Sequence, residues 1–155
     1  MTRARLEAKI GFDKIRETIS NRCQTEYATR RVAEEEFSSD EDIIRERLAI
    51  TDEMRLVVMF EDSFPTTGYI DALPFLEPLE KSGSCIDVSS LGKLSTLLEI
   101  SRKLGYFFSS IKDGVYPLLK KRVNKMASFP EIRRRIEAIL DKYGEIKDSA
   151  SPELL

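Results

Sequence analysis

Apolar residues recur every three or four positions along most of this chain, and no stretch long enough for a strand alternates apolar and polar residues. The spacing is cleanest near the end, where one stripe contains Ile132, Ile136, Ile139 and Tyr143. A stripe with the 3.6-residue period of the α-helix buries one face against neighbouring helices. The sequence therefore predicts an all-α fold, and its 155 residues suit one domain.

The helix-boundary signals divide the chain into a series of helical segments. They are predicted from Leu6 to Asn21 with a boundary at Gly11, from Thr25 to Glu36, from a cap at Ser39 to about Glu61, from Asp87 or Ser89 to Ile111, from Pro117 to Met126, and from Phe129 to a C-cap at Gly144. Ser39 is the predicted cap because it lies three residues before Asp42, at capping-box spacing. We expect these segments to form an irregular helical bundle.

Proline and glycine interrupt the helical pattern at about 62–86, which predicts a long connection of loops and short helical turns. Its apolar residues predict that it lies against the core. The helix before it is predicted to bury the stripe Ile43, Ile44, Leu48, Met54, Val57 and Val58. Even so, the chain has more apolar stripe than helices of this length need to cover one another, which indicates a missing packing partner.

Several features argue against a complete enzyme. The chain has no histidine, which removes the usual general base and the commonest zinc ligand. It has no GxxxxGK[ST] or GxGxxG loop to hold a phosphate. Cys23 and Cys85 form no CxxC pair and are expected to be free thiols in a reducing compartment. Without an apolar leader or a membrane-spanning run, the expected location is the cytoplasm.

Cations concentrate in residues 120–135, against the single acid Glu131. They are Lys120, Lys121, Arg122, Lys125, Arg133, Arg134 and Arg135. On two successive helices they could form a surface that binds nucleic-acid phosphates. The alternative is an ordinary solvated surface, partly paired with the acidic residues 34–62, and the absence of an interleaved aromatic residue favours it. The acidic runs at 34–36 and 40–42 lie beside a helix start, where solvation explains them better than a metal site.

Residues 141–154, DKYGEIKDSASPEL, resemble the signature "acidic-x-x-G-x-[V/I]-x-D-x-A-S-x-x-L" of the type-two branch of MutS-like proteins. Weaker similarities precede it in the family's order. Ile10–Ile15 resembles the family's opening L-E-F-D-K-I with a departure at its first two residues, Thr51–Met54 resembles a T-x-E-A-like helix, and Asp71 and Pro74 resemble an I-x-D-I-x-P-like turn. The resemblance spans nearly the whole chain.

This resemblance implies that residues 1–146 are the N-terminal part of a helical MutS-type core domain, known as domain III. Residues 147–155 would be the truncated start of its lever helix, where Ser151 and Pro152 suit the cap and the first helical position. It also implies a longer parent with a lever and clamp, an ABC-type ATPase that uses ATP and Mg²⁺, and commonly an Smr endonuclease domain. None of those catalytic motifs lies in this chain, so no catalytic, cofactor or metal residue is assigned to it.

Members of this branch are associated with DNA repair, with binding branched DNA, with suppression of recombination and, for some, with rescue of stalled ribosomes. The resemblance therefore implies a non-catalytic core module that relays motion between the ATPase and the lever and clamp of a homodimeric parent. Its expected partners are the rest of the same polypeptide, DNA and the ribosome, and no membrane is expected. The alternative is a free-standing helical adaptor that binds a protein partner through an apolar groove.

Overall fold

The computed structural model describes residues 2–150, and in that range the fold is all-α, with eight α-helices and no strand. The helices are α1 (Arg3–Ile10), α2 (Phe12–Ser20), α3 (Glu26–Glu34), α4 (Glu41–Phe60), α5 (Leu73–Leu76), α6 (Val88–Ser110), α7 (Pro117–Val123) and α8 (Pro130–Ile139). Short 3-10 turns cover Glu77–Glu80 and Asp148–Ala150. Over the same residues, no helix combines the length and apolar composition needed to cross a bilayer. The predicted lever-helix cap at 151–155 lies outside the described residues.

Three predicted helix boundaries are confirmed. Gly11 separates α1 from α2 with φ of +72°, in the left-handed region where a residue without a Cβ atom is least strained. Helix α3 follows Thr25, whose hydroxyl accepts a hydrogen bond from a backbone N–H of the first turn at 3.1 Å. Helix α6 follows the cap Asp87 and continues through Gly92 and Gly105 without a break.

The predicted cap of α4 is wrong by one residue. Asp40, not Ser39, precedes the helix, and its carboxylate accepts hydrogen bonds from the backbone N–H groups of Asp42 at 3.0 Å and Ile43 at 3.1 Å. A charged acceptor binds N–H donors more strongly than a hydroxyl does, and it also complements the positive end of the helix dipole. The helix therefore begins one residue later than the capping-box spacing predicts.

The predicted end of the last helix is also wrong, because α8 ends at Ile139 and not at Gly144. Leu140 takes an extended conformation and pairs with Ile146 in an isolated antiparallel bridge. Between them, the Asp141 carboxylate accepts hydrogen bonds from two backbone N–H groups, at 2.8 and 2.9 Å. This local side-chain bonding stabilises a turn in place of another helical turn, and Gly144 supplies its left-handed residue with φ of +83°.

The main core lies where α4, α6 and α7 meet. Val57 of α4 is fully buried, and Phe107 and Phe108 of α6 are each 4% exposed. The two phenylalanine rings meet edge to face with centroids 5.0 Å apart. Phe64 packs against both rings, and Tyr116 closes the cluster just before α7. Helix α6 is therefore the element on which α7 and α8 assemble.

The predicted burial of the α4 stripe is largely wrong. Val57 is buried and Met54 is half-buried. The other four positions, Ile43, Ile44, Leu48 and Val58, are 38–65% exposed. The reason is that, within residues 2–150, the short helix α7 is the main neighbour along α4 and covers only one side of it. The excess of apolar surface indicated by the sequence is thus concentrated on α4.

Helices α1, α2 and α3 are joined through the buried carboxylate of Glu7, which is 5% exposed. Arg16 donates to both of its oxygens at 2.7 and 3.1 Å, and Arg3 donates at 3.0 Å. The same two arginines also donate to backbone carbonyls at the end of α3, those of Val32 and Ala33. The hydrogen bonds from Arg16 lower the pKa of Glu7, and the Glu7 carboxylate raises the pKa of Arg16.

The connection from α4 to α6 has the predicted character, with loops and the short turns of α5 and the adjoining 3-10 segment. The Asp71 carboxylate accepts a hydrogen bond from the backbone N–H of Tyr27 in α3 at 3.1 Å, which ties the connection to the first three helices. On the other side, Gly68 with φ of +91° lies so close to Ile100 of α6 that an added Cβ atom would be 3.1 Å from its side chain. The connection therefore links the two groups of helices.

Replacing Phe107 with alanine is expected to lower the free energy of unfolding by about 3–5 kcal/mol, because a cavity would open between α4 and α6. The neighbouring variant Tyr106→Ala removes a ring that is 72% exposed and is expected to change stability by less than about 0.5 kcal/mol. Urea denaturation followed by circular dichroism measures both values. Equal losses in the two variants would contradict the position of the core.

The Glu7 ion pair gives stability a pH dependence. Because the folded state lowers the pKa of Glu7, its stabilisation is present above the ordinary glutamate pKa of about 4.3 and is lost as the pH falls through the lower folded value. The urea midpoint of the wild type is therefore expected to fall more between about pH 7 and about pH 3 than that of Glu7→Gln. Glu17→Gln, at an exposed position of α2, should behave like the wild type. Parallel midpoint curves for wild type and Glu7→Gln would contradict this role.

Candidate nucleic-acid interface

Helix α7, which contains three of the predicted phosphate-binding cations and is followed by a fourth, Lys125, is held in place by α4. The carboxylate of Glu53 on α4 accepts hydrogen bonds from the backbone N–H groups of Leu118 at 3.1 Å and Leu119 at 2.9 Å. These N–H groups belong to the first turn of α7 and have no partner within the helix. Pro117 at the first helical position is the predicted start. Glu53 therefore ties the first turn of α7 to α4.

Lys120 differs from the other predicted cations because it is committed to the fold. Its side chain is 16% exposed, and its Nζ atom donates to the backbone carbonyl of Ile111, just after the end of α6. The same ammonium lies 3.2 Å from the carboxylate of Asp113. A cation at the C-terminal end of a helix complements the helix dipole and satisfies a free carbonyl. Lys120 therefore joins α7 to α6 and does not contribute to the open basic surface.

Lys121, Arg122 and Lys125 form the first exposed basic group, which we call the α7 recess. With Glu46 and Ile50 of α4, they line a shallow cavity of about 390 Å³. Arg122 lies 3.9 Å from the Glu46 carboxylate, and both side chains are 62% exposed. This contact between a cation and the acidic residues 34–62 is what the solvated-surface alternative predicts. An exposed pair of this kind contributes little to stability, so a phosphate can compete for Arg122.

The cations of α8 point in two directions. Arg134 and Arg135 are on the outer face of the helix, 76% and 80% exposed, and lie 2.6 and 3.9 Å from the Glu131 carboxylate. Arg133 is only 34% exposed, pairs with Glu137 and faces α6. Helix α7 packs on α4 and α6, whereas α8 packs on α6. The seven predicted cations are thus divided among the interior, the α7 recess, the outer face of α8 and a cleft against α6.

That cleft brings together residues that the sequence analysis kept apart. It is a cavity of about 330 Å³ between α6 and the segment joining α7 to α8, and we call it the α6–α8 cleft. Its lining includes Arg133, Arg102 and two aromatic residues, Tyr106 and Phe129. Tyr106 is 72% exposed and Phe129 is 48% exposed. The aromatic residues that the sequence analysis did not find beside the cations are therefore supplied by another helix and by the preceding loop.

A sequence signal for Tyr106 did exist. It lies outside the apolar stripe of α6, on which Leu104, Phe107 and Phe108 recur with helical spacing. An aromatic residue placed off the buried stripe of a helix is exposed, and an exposed aromatic ring is available for binding. No sequence signal places Tyr106 beside Arg133, because their proximity depends on the packing of α8 on α6.

The acidic runs have structural roles in the described chain. Glu35 pairs with Arg47 of α4, and Asp40 caps the same helix. Among residues 2–150, no three histidine, cysteine, aspartate or glutamate side chains are grouped so that they could hold a metal ion. Chemically, the cations and aromatic rings of α6, α7 and α8 can bind phosphates and flat ring systems.

No family model matches the chain. It is 28% identical over 145 residues to "Endonuclease MutS2" of Thermomicrobium roseum, covering 92% of this chain and 18% of that protein. It is 25% identical over 147 residues to "Endonuclease MutS2" of Leuconostoc citreum and 25% identical over 145 residues to "Putative endonuclease MutS2" of Bacillus subtilis, with the same two coverages. The chain thus spans about 18% of the length of these relatives. Over 92% of its length, it is distantly homologous to a segment of MutS2 endonucleases.

Proposed function

We propose that this chain is a non-catalytic helical module of a MutS2-like protein. In this proposal residues 1–146 are the N-terminal part of the core domain, and residues 147–155 begin the lever helix. The observation that carries the proposal is the homology over 92% of the chain to a segment that makes up only 18% of MutS2 endonucleases. A segment of that kind works through contacts with the rest of its protein.

The open surface of α4 supports this role. Ile44, Leu48, Val58 and Met59 lie within one stripe of the helix, on the side roughly opposite the buried Val57, and we call them the α4 outer face. They are 38%, 65%, 64% and 59% exposed, respectively. Thr51 and Arg55 separate Ile44 and Leu48 from Val58 and Met59 on this side, so the face has two exposed apolar patches, and exposed apolar patches typically mark a contact with another element. We propose that other parts of the same polypeptide cover it, so that α4 passes movement from them to the core.

The chemistry of the parent is proposed to lie outside this chain. The ATPase with its ATP and Mg²⁺, the Smr endonuclease domain and the contacts of a homodimer would all be supplied by other segments. The lack of histidine and of a phosphate-binding loop supports this division. The parent is proposed to act in the cytoplasm on branched DNA, and a role at the ribosome would need a separate test.

Within this proposal, the α7 recess and the outer face of α8 supply secondary contacts to the DNA backbone. Their cations are exposed and held only by surface ion pairs, which are worth about 0.2–1 kcal/mol each. The net charge of the whole chain is −2, so attraction to DNA must come from these local groups. The expected binding is weak and depends steeply on salt concentration.

The gene that encodes the chain tests the proposal directly. A reading frame that continues past Leu155 into a GxxxxGK[ST] motif is the expected result, because the ATPase would follow the core and lever. A stop codon after Leu155 would contradict the proposal and favour a free-standing adaptor that binds a protein partner through the α4 outer face.

The DNA contact is tested by a triple variant of the α7 recess, Lys121→Gln, Arg122→Gln and Lys125→Gln. Because each phosphate contact contributes about 0.9 to the slope of log affinity against log salt, the triple variant should lower that slope by about 2–3 for a four-way DNA junction. Fluorescence anisotropy between about 50 and 200 mM salt measures it.

The matched control for this experiment changes the net charge equally on α1 and α2, with Arg5→Gln, Lys9→Gln and Lys14→Gln, all at exposed positions. The control should bind the junction with the slope of the wild type. Equal slopes in the two triple variants would show that the α7 recess is only solvated surface.

A further inference from the structure

We propose that the α6–α8 cleft binds one nucleotide of single-stranded nucleic acid, with its base stacked on Tyr106 and Phe129 and its phosphate on Arg133 and Arg102. The inference rests on the proposed function in that both require contact between this chain and nucleic acid. It concerns a different surface, however, because the DNA-backbone contacts proposed above use the α7 recess and the outer face of α8.

The size of the cleft suits a single nucleotide. Its volume of about 330 Å³ is at the lower end of the roughly 300–1,000 Å³ typical of small-molecule sites. Gly105 contributes to the wall, and a Cβ atom added there would meet no other atom within 4 Å, so this side of the cleft is open. Ser101 and Ser128 add hydroxyl groups that can bond the polar edge of a base. A duplex would first have to unpair and unstack a base to place it in such a cavity, which favours an unpaired strand.

Two aromatic rings supply the stacking surface. Tyr106 is followed directly by the buried Phe107 and Phe108, so its backbone is held by the core while its own ring is 72% exposed. Phe129 precedes Pro130 at the start of α8, and its ring is 48% exposed. Exposed aromatic rings beside cations are the usual platform for unpaired bases, and stacking on them tolerates any base sequence.

The charges around the cleft favour stacking over phosphate attraction as the main source of affinity. Arg102 donates to Glu99 at 2.8 and 2.9 Å, and Arg133 pairs with Glu137. Lys103, which lies 4.0 Å from Glu99, lines a different cavity, so two arginines at the cleft are paired with two acids. These acids offset most of the positive charge of the two guanidinium groups. Binding at this site should therefore depend less on salt than binding at the α7 recess.

Fluorescence anisotropy with the full chain and a labelled single-stranded oligothymidylate tests the site. Tyr106→Ala is expected to weaken binding about tenfold, because one stacked base loses its partner. Tyr106→Phe keeps the ring and should restore the affinity. Tyr143→Ala is the matched control, since Tyr143 is 77% exposed and does not line this cleft, and it should bind as the wild type does. Far-UV circular dichroism checks that each variant is folded.

A second pair of variants tests the phosphate contact. Arg133→Gln should weaken binding of the single strand, whereas Arg134→Gln on the outer face should leave it unchanged. Wild-type affinity in Tyr106→Ala, or equal losses in Tyr106→Ala and Tyr143→Ala, would overturn the site. The triple variant of the α7 recess is measured alongside on a duplex. If duplex binding depends on that recess while Tyr106→Ala has no effect, this site is wrong and the DNA-backbone contact of the proposed function stands. If only Tyr106→Ala has an effect, this site stands and the DNA-backbone contact at the α7 recess is wrong.

Discussion

The edge-to-face contact between Phe107 and Phe108, closed by Val57 of α4, is the interaction on which the arrangement of α4, α6, α7 and α8 depends. It makes α6 the central helix, against which both α7 and α8 pack. Because the cluster uses one side of α4, the opposite side of that helix remains uncovered. The same packing that builds the core therefore also creates the apolar surface that the proposed function needs.

Sequence reasoning predicted the parts of the fold that depend on local chemistry. The all-α class, the boundary at Gly11 and the start of α7 at Pro117 follow from spacing and backbone geometry, and all three are confirmed. The predicted cap at Ser39 is wrong because the carboxylate of the neighbouring Asp40 is the stronger hydrogen-bond acceptor. The predicted helix end at Gly144 is wrong because hydrogen bonds from backbone N–H groups to the Asp141 side chain replace helical hydrogen bonds in the turn.

The candidate interface was less predictable, because it depends on contacts between distant parts of the chain. Composition identified the cations, yet it could not show that Lys120 is used to bind the end of α6. It also could not place Tyr106 beside Arg133, because these two residues are on different helices. Periodicity likewise identifies an apolar stripe on α4 without showing which elements cover it. In the proposed function, other parts of a longer MutS2-like protein would cover that stripe, since most of each matched relative lies outside the matched region.

The central claim is that the α4 outer face is covered by other parts of the protein. Thiol labelling of a Leu48→Cys variant tests it, in a background where the free thiols Cys23 and Cys85 are replaced by serine. The rate of alkylation is compared between this 155-residue chain and the complete protein that its gene encodes. The account predicts much slower labelling in the complete protein, while a Glu17→Cys control on α2 reacts equally fast in both. Equal rates for Leu48→Cys would contradict it.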